Sequence, residues 1–335
     1  MTESKVVLLE QDDLMHRNTG EPNFNESAYY NFYDRAQKVG GFVRLGNRPN
    51  EGYAEMTACI YIPDGSAAFM FGRPEIASND AHNAGGLKFE VLKPFEHHRV
   101  TYQGNICMLK NPLEMAEPRQ AFKTNPYAPM RLELDYRATA PAWGGELREK
   151  SAGGWESIRP SGDSSTEFAR GHLEQLGHAT GMLAVGERKF DIDGLGLRDH
   201  SWGPRYWQAP KYYRWLTMNF DESLGAMATI TVNRDGGEHR GGFIARKSEP
   251  TVNLIKVDID TEFGGEQKLH ERIKVICRTE DGADPIVITG KVLSMIPLRN
   301  RRAGIVTRIA EGMTEWRWGE RIGYGLSEYL DHLTE

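Results

Sequence analysis

Asp199 sits in a run that alternates ionisable and aromatic side chains, Arg198-Asp199-His200-Ser201-Trp202-Gly203-Pro204-Arg205-Tyr206-Trp207. Such a mixture points to a partly buried polar network, because a buried charge is costly unless it is paired and hydrogen-bonded. In an apolar, ring-lined hollow, burial raises the pKa of a carboxylic acid. Asp199 could then hold a proton at neutral pH and deliver it to a carbon–carbon double bond. Neighbouring arginine pulls the other way, and the sequence leaves that balance open. The same residues also fit a strand corner locked by an Asp–Arg–His–Ser network with the tryptophans as core.

Protonating an isolated alkene needs an acid within reach, a stabilised cation and controlled water. Asp199 is the candidate acid. Trp202, Tyr206, Trp207, Trp215, Tyr29 and Tyr30 are candidate substrate-binding faces, each worth about 2 kcal/mol or more to a desolvated cation. Arg205 joins them on the binding side. His178, His200 or Glu174 would orient water or return the proton. Admitted water gives hydration, an internal nucleophile gives cyclisation, and proton loss gives isomerisation. No metal or organic cofactor is needed for any of these. His172, Glu174 and His178 share one face of a strand by their even spacing, which also suits metal ligands. No strong metal motif accompanies them, so no metal is expected.

These residues must be positioned by strands. Three β-rich pairs flank Asp-Gly turns, the strongest short hairpin signal. They are Thr57–Ile62 with Ala67–Phe71, Ala226–Val232 with Gly242–Ala245, and Ile273–Cys277 with Ile286–Thr289. Further extended runs include Arg131–Tyr136, Gly181–Val185 and Lys189–Ile192. Helix signals are few: a short one over 111–123, interrupted by Pro118, and a turn or two over 325–332. The reading is all-β, with two antiparallel barrel or sandwich modules packed together. We expect a loosely ordered arm over 1–20, a first module over 21–198 and a second over 199–335. Ser151–Ser165, rich in Ser and Gly, reads as a long loop.

The motif is also familiar. Gly194-Leu-Gly-Leu-Arg-Asp-His-Ser-Trp-Gly-Pro-Arg205, preceded by Glu174-Gln175 and Gly177-His178, resembles the carotenoid 1,2-hydratase (hydroxyneurosporene synthase) and tocopherol-cyclase-like group of lipocalin-type proteins. Asn25–Tyr30 looks like that group's opening strand. Arg48-Pro-Asn50 and Pro63-Asp-Gly65 look like its early turns, and Gly323–Tyr329 like its closing strand. The resemblance implies two lipocalin-like modules, an Asp199 proton donor and an aromatic pocket. The group holds several reaction types, so the reaction itself does not transfer.

Composition narrows the rest. With 41 Lys+Arg against 47 Asp+Glu the net charge is −6, which excludes a globally basic nucleic-acid binder. No apolar run approaches the roughly 18–20 residues of a membrane span. The first ten residues lack a signal-peptide pattern. Cys59, Cys107 and Cys277 are odd in number and far apart, so neither disulfides nor zinc are expected. Dinucleotide, P-loop, zincin and nucleophile-elbow motifs are absent. The expectation is a cytoplasmic protein with a hydrophobic small-molecule partner; a homodimer is left open. Its function reads as cofactor-independent, acid-catalysed hydration, cyclisation or isomerisation of an isoprenoid, polycyclic or aromatic alkene. The alternative is a lipocalin-like carrier of a hydrophobic metabolite, in which Asp199 only braces the fold.

Overall fold

Strand-forming runs broken at Asp-Gly turns pair in chain order, because short hairpins leave little choice of partner. A computed structural model describes residues 3–158, 168–302 and 304–333. All three expected hairpins form. Gly65, Gly236 and Gly282 take positive φ at their turns, where a Cβ would be strained.

The first module is a 13-stranded antiparallel sheet. Eight of its strands close on themselves. Phe24–Asp34 pairs with Val39–Arg48, then Tyr53–Tyr61, Ala67–Gly72, His97–Leu109, Tyr127–Ala138, Gly171–Val185 and Arg188–Pro204, which returns to Phe24–Asp34. The second module is a closed barrel whose eight strands run in order from Pro210–Asp221 to Arg321–Leu333. Each ring has its own apolar filling, around Tyr30, Val43 and Leu132 in the first and Leu216, Tyr329 and Trp316 in the second. Gly177 and Gly196 let Tyr136 lie flat inside the first ring; a Cβ on Gly177 would stand 2.1 Å from its ring.

Outer walls of the two rings pack against each other through Tyr29, Phe42, Phe69, Ile296 and Leu326. Tyr61 donates from its hydroxyl to the Glu311 carbonyl at 2.9 Å, and the Tyr33 and Tyr324 rings stack at 4.6 Å. Among the described residues no helix is long and apolar enough to cross a membrane.

Several expectations need correction. The strand carrying Asp199 runs unbroken from Arg188 to Pro204, so a boundary between 198 and 199 falls inside the first sheet; the chain passes between modules over 205–209. Residues 325–332 lie in the closing strand Arg321–Leu333, held by pairing on both sides, and form no helix. The helix signal over 111–123 resolves into a 3-10 turn, Pro112–Ala116, and a short helix, Pro118–Thr124, which Pro118 starts instead of interrupting. Residues 151–157 belong to a hairpin; 159–165 of the expected loop lie outside the described residues.

Residues 3–20 are tied down as well. Ser4–Val7 pairs with Trp143–Ser151. Asp12 and Asp13 then reach into the first module and are fully buried. Arg148 donates to both oxygens of Asp12 at 2.7 Å. Asp13 accepts from Arg198 Nη1 at 2.6 Å and pairs with His98 Nε2 at 2.9 Å. Removing one member of a buried ion pair leaves its partner uncompensated. Asp13→Ala is therefore expected to lower unfolding free energy by roughly 3–5 kcal/mol in urea titrations. A loss well under 1 kcal/mol would contradict this anchoring role.

Candidate active site

Strand register carries one row of side chains across the first ring. Glu174 pairs with Asp199, Asp199 with Tyr29, Tyr29 with Arg44, Arg44 with Thr57, and Thr57 with Phe71. Directly opposed residues on antiparallel strands share a face. All six line one cavity of about 950 Å³ between the outer walls of the two rings. The neighbouring row, Gln175, Arg198, Tyr30, Val43 and Ala58, turns into the first ring instead. The second ring contributes its own row, in which Thr229 pairs with Trp215, Trp215 with Glu328, and Glu328 with Glu311. These four line the same cavity. Its size suits one small organic ligand.

Carboxyl groups and arginines share the polar part of this wall. Glu174 is fully buried. Its Oε1 accepts from Trp215 Nε1 at 2.6 Å across the module boundary and lies 3.6 Å from His172 Nε2. Its Oε2 has no hydrogen-bond partner. Burial pushes Glu174 up to about 7; His172 and the Trp215 N–H oppose this and the Asp199 charge assists it. Burial likewise pushes Glu311 up to about 8 against the pull of Arg44. Glu328, which accepts from the Tyr213 hydroxyl, also rises to about 8 through burial and the nearby Asp199 charge, with Arg44 and Arg205 opposing.

Asp199 behaves differently. Burial alone would raise it. The charge and hydrogen bond of His172 outweigh burial, with Arg205 and His200 adding to the effect, and hold Asp199 below its usual value. His172 is raised to about 9: burial would lower it, but Asp199 and Glu174 reverse the sign. At neutral pH the pair is thus an imidazolium on a carboxylate. This corrects the expectation that Asp199 is the protonated acid, since pairing beats burial at Asp199 while burial wins at Glu174.

The structure brings Asp199, Glu174, Tyr29, Arg205, Trp207 and Trp215 to the cavity. Three other candidates do not reach it because successive strand residues face opposite ways, and a fourth, His178, because it lies too far along its strand. His200 points to the far face of the sheet and pairs with Glu26 at 2.6 Å. Trp202 lies on that face too, stacked on His16 at 4.0 Å and donating to Glu146. Tyr30 packs in the ring core against Phe89 and Tyr136. His178 shares the face of His172 but lies six residues along the strand, roughly 20 Å away, paired with Asp193 near the surface. Tyr206, in the passage between the modules, is likewise not among the cavity residues. Glu311 and Glu328 were missed by sequence reading. Their signal was a charged residue in an otherwise apolar stretch, as in Ile309-Ala310-Glu311.

Among the described residues, two groups could accommodate an ion: His172, Glu174 and Asp199, and His16, Glu26 and His200. In each, the ligand atoms lie within 4.8 Å of one another. Both are already joined by hydrogen bonds among their own members.

A family model described as a domain of unknown function (DUF7064) matches residues 9–333. No curated protein matches the chain. Among solved structures, an AttH structure from Nitrosomonas europaea covers 98% of both chains at 12% identity and TM-score 0.59. CghA in complex with Sch210972 covers 92% of this chain and 88% of its own at 9% identity and TM-score 0.50. Kievitone hydratase from Nectria haematococca covers 95% and 93% at 12% identity and TM-score 0.49. At these identities the likeness to the first two shows a shared fold.

The raised acids have a thermodynamic signature. Glu311 and Glu328 titrate near 4.5 when unfolded and near 8 when folded. The folded state binds the extra protons between those values, so both groups make stability fall as pH rises from about 4.5 to 8. The double variant Glu311→Gln, Glu328→Gln should flatten that slope in urea titrations across this range. Above about pH 8 it should be more stable than the wild type. Parallel pH profiles would contradict the assignment.

Proposed function

We propose, for a chain that belongs to the DUF7064 family, acid catalysis without a cofactor on a hydrophobic, alkene-containing small molecule bound between the two rings. Glu174 is the proton donor. The observation that carries this reading is its environment: a fully buried carboxyl with one oxygen fixed by the Trp215 indole and the other without a partner. An acid near pKa 7 is about half protonated at neutral pH and readily releases its proton there.

In the hydration case the Glu174 O–H bond breaks and a C–H bond forms at one alkene carbon. Positive charge develops on the other carbon, where the faces of Trp215, Trp207 and Tyr29 can meet it. Water adds to the cation, and its surplus proton restores Glu174. His172, kept charged by Asp199, holds the geometry of this end of the cavity and screens the Glu174 carboxylate after transfer. Attack by an internal nucleophile gives a cyclised product, and loss of a proton an isomerised one. The motif around Asp199 resembles carotenoid 1,2-hydratases and tocopherol-cyclase-like proteins, which supports this class of chemistry. Isoprenoid, polycyclic and aromatic alkenes are its natural substrates.

Incubation with a panel of such alkenes and mass spectrometry reads the reaction directly. A product heavier by one water, or of equal mass and altered retention, is expected. Glu174→Gln should lower turnover about a hundredfold to ten-thousandfold with the fold intact. Wild-type turnover in that variant removes Glu174 as donor. Ligand bound tightly but recovered unchanged throughout would favour the carrier reading.

A further inference from the structure

Five arginines are buried among the described residues: Arg48, Arg148, Arg198, Arg205 and Arg308. Four have a carboxylate within 4 Å. Arg48 meets Glu51 and Glu55, Arg148 meets Asp12 and Glu146, Arg198 meets Asp13, and Arg308 meets Asp331. Arg205 has none. Its Nε donates to the Phe168 carbonyl at 3.1 Å and its Nη2 to Ser201 Oγ at 2.9 Å. Among the described residues Nη1 makes no hydrogen bond. The guanidinium lies over the rings of Phe168 and Trp207, at 4.7 and 5.4 Å to their centroids. Residues 205, 168 and 207 all line the cavity.

A buried cation with neutral partners only is costly to keep, and a folded protein retains one where something else neutralises it. The nearby anions are already engaged. Asp199 is taken by His172, and Glu55 by Arg44 and Arg48. Arg44 adds more positive charge at 5.3 Å from the Trp207 ring, on the same cavity wall. What remains on Arg205 is Nη1 and the second N–H of Nη2. These form an end-on fork that matches the two oxygens of a carboxylate.

We propose that the ligand of this cavity carries a carboxylate, and that Arg205, braced between Phe168 and Trp207, is the residue that binds it. The substrate class becomes an amphipathic acid: an apolar unsaturated body against the aromatic wall and one anionic end on the guanidinium. This deepens the proposed function and rests on its reading of the cavity as the ligand site. It also supplies orientation. Anchoring the acid end at Arg205 fixes which part of the apolar body lies at Glu174, on the same wall.

The test reads binding alone, so its outcome does not depend on whether Glu174 performs the chemistry. The probe is cis-parinaric acid, a fluorescent polyene acid, compared with its methyl ester. The wild type is expected to bind the acid at least about tenfold more tightly than the ester, as one charge-assisted pair is worth about 1.5–3 kcal/mol. Arg205→Gln should remove that preference and leave ester affinity within about twofold. Arg205→Lys, which keeps the charge and loses the fork, should restore part of it. Thermal unfolding of each variant controls for the bonds Arg205 makes to Phe168 and Ser201. The proposal is overturned if the wild type binds acid and ester alike or fails to bind the acid. It is equally overturned if Arg205→Gln weakens acid and ester by the same factor, the mark of a purely structural arginine.

Discussion

Everything at the candidate site follows from the two-residue period of one hairpin. Gly171–Val185 and Arg188–Pro204 pair without a break in register from Gly171 opposite Trp202 to Val185 opposite Arg188. Alternation along this ladder splits a dense polar motif into two populations. Arg198, His200 and Trp202 go inward to Asp13, Glu26 and Glu146. Asp199 goes outward with His172 and Glu174. A slip of one residue would exchange the two sets and put the buried ion pairs in the cavity. The inward set makes such a slip costly, because each of its charges has a partner on another element.

The second ring turns an outward-facing row into a buried one. Alone, the outer wall of the first ring would leave Glu174 and Asp199 facing solvent. The facing wall of Trp215, Glu328 and Glu311 removes that water. Carboxyl groups then divide by what stands beside them. Asp199 has an imidazolium and stays charged, whereas Glu174, Glu311 and Glu328 have too little compensating charge to offset burial and are raised to about 7, 8 and 8. Acid and base character is thus set by neighbours, not by residue type. It is also why the site lies between the modules and in neither ring: both interiors are filled by their own side chains.

Much of this was legible in the chain. Asp-Gly turns between β-rich runs gave the three hairpins, and the density of such runs gave the all-β class. The polar–aromatic motif led to Asp199, Arg205 and Trp207, and even spacing placed His172 and Glu174 together. The sequence could not say which face of a strand meets the second module. His200 and Trp202, candidates through proximity to Asp199 in sequence, and Tyr30, a candidate as an aromatic ring beside Tyr29, therefore lie on the other face. Glu311 and Glu328 come from strands more than a hundred residues downstream of Asp199, and only closure of the second ring brings them near. The protonation of Asp199 depended on His172, 27 residues away in the chain, so composition around the motif could not decide it.

The central claim is that buried carboxylic acids face this cavity with raised pKa values, Glu174 near 7 and Glu311 and Glu328 near 8. Infrared difference spectroscopy of the carbonyl stretch of protonated carboxyl groups, wild type minus Glu174→Gln, reads this without a substrate. The account predicts a protonated-acid band near neutral pH that disappears with the substitution and converts to a carboxylate band as pH is raised through about 7. A difference spectrum holding only carboxylate signals well below that pH would contradict it.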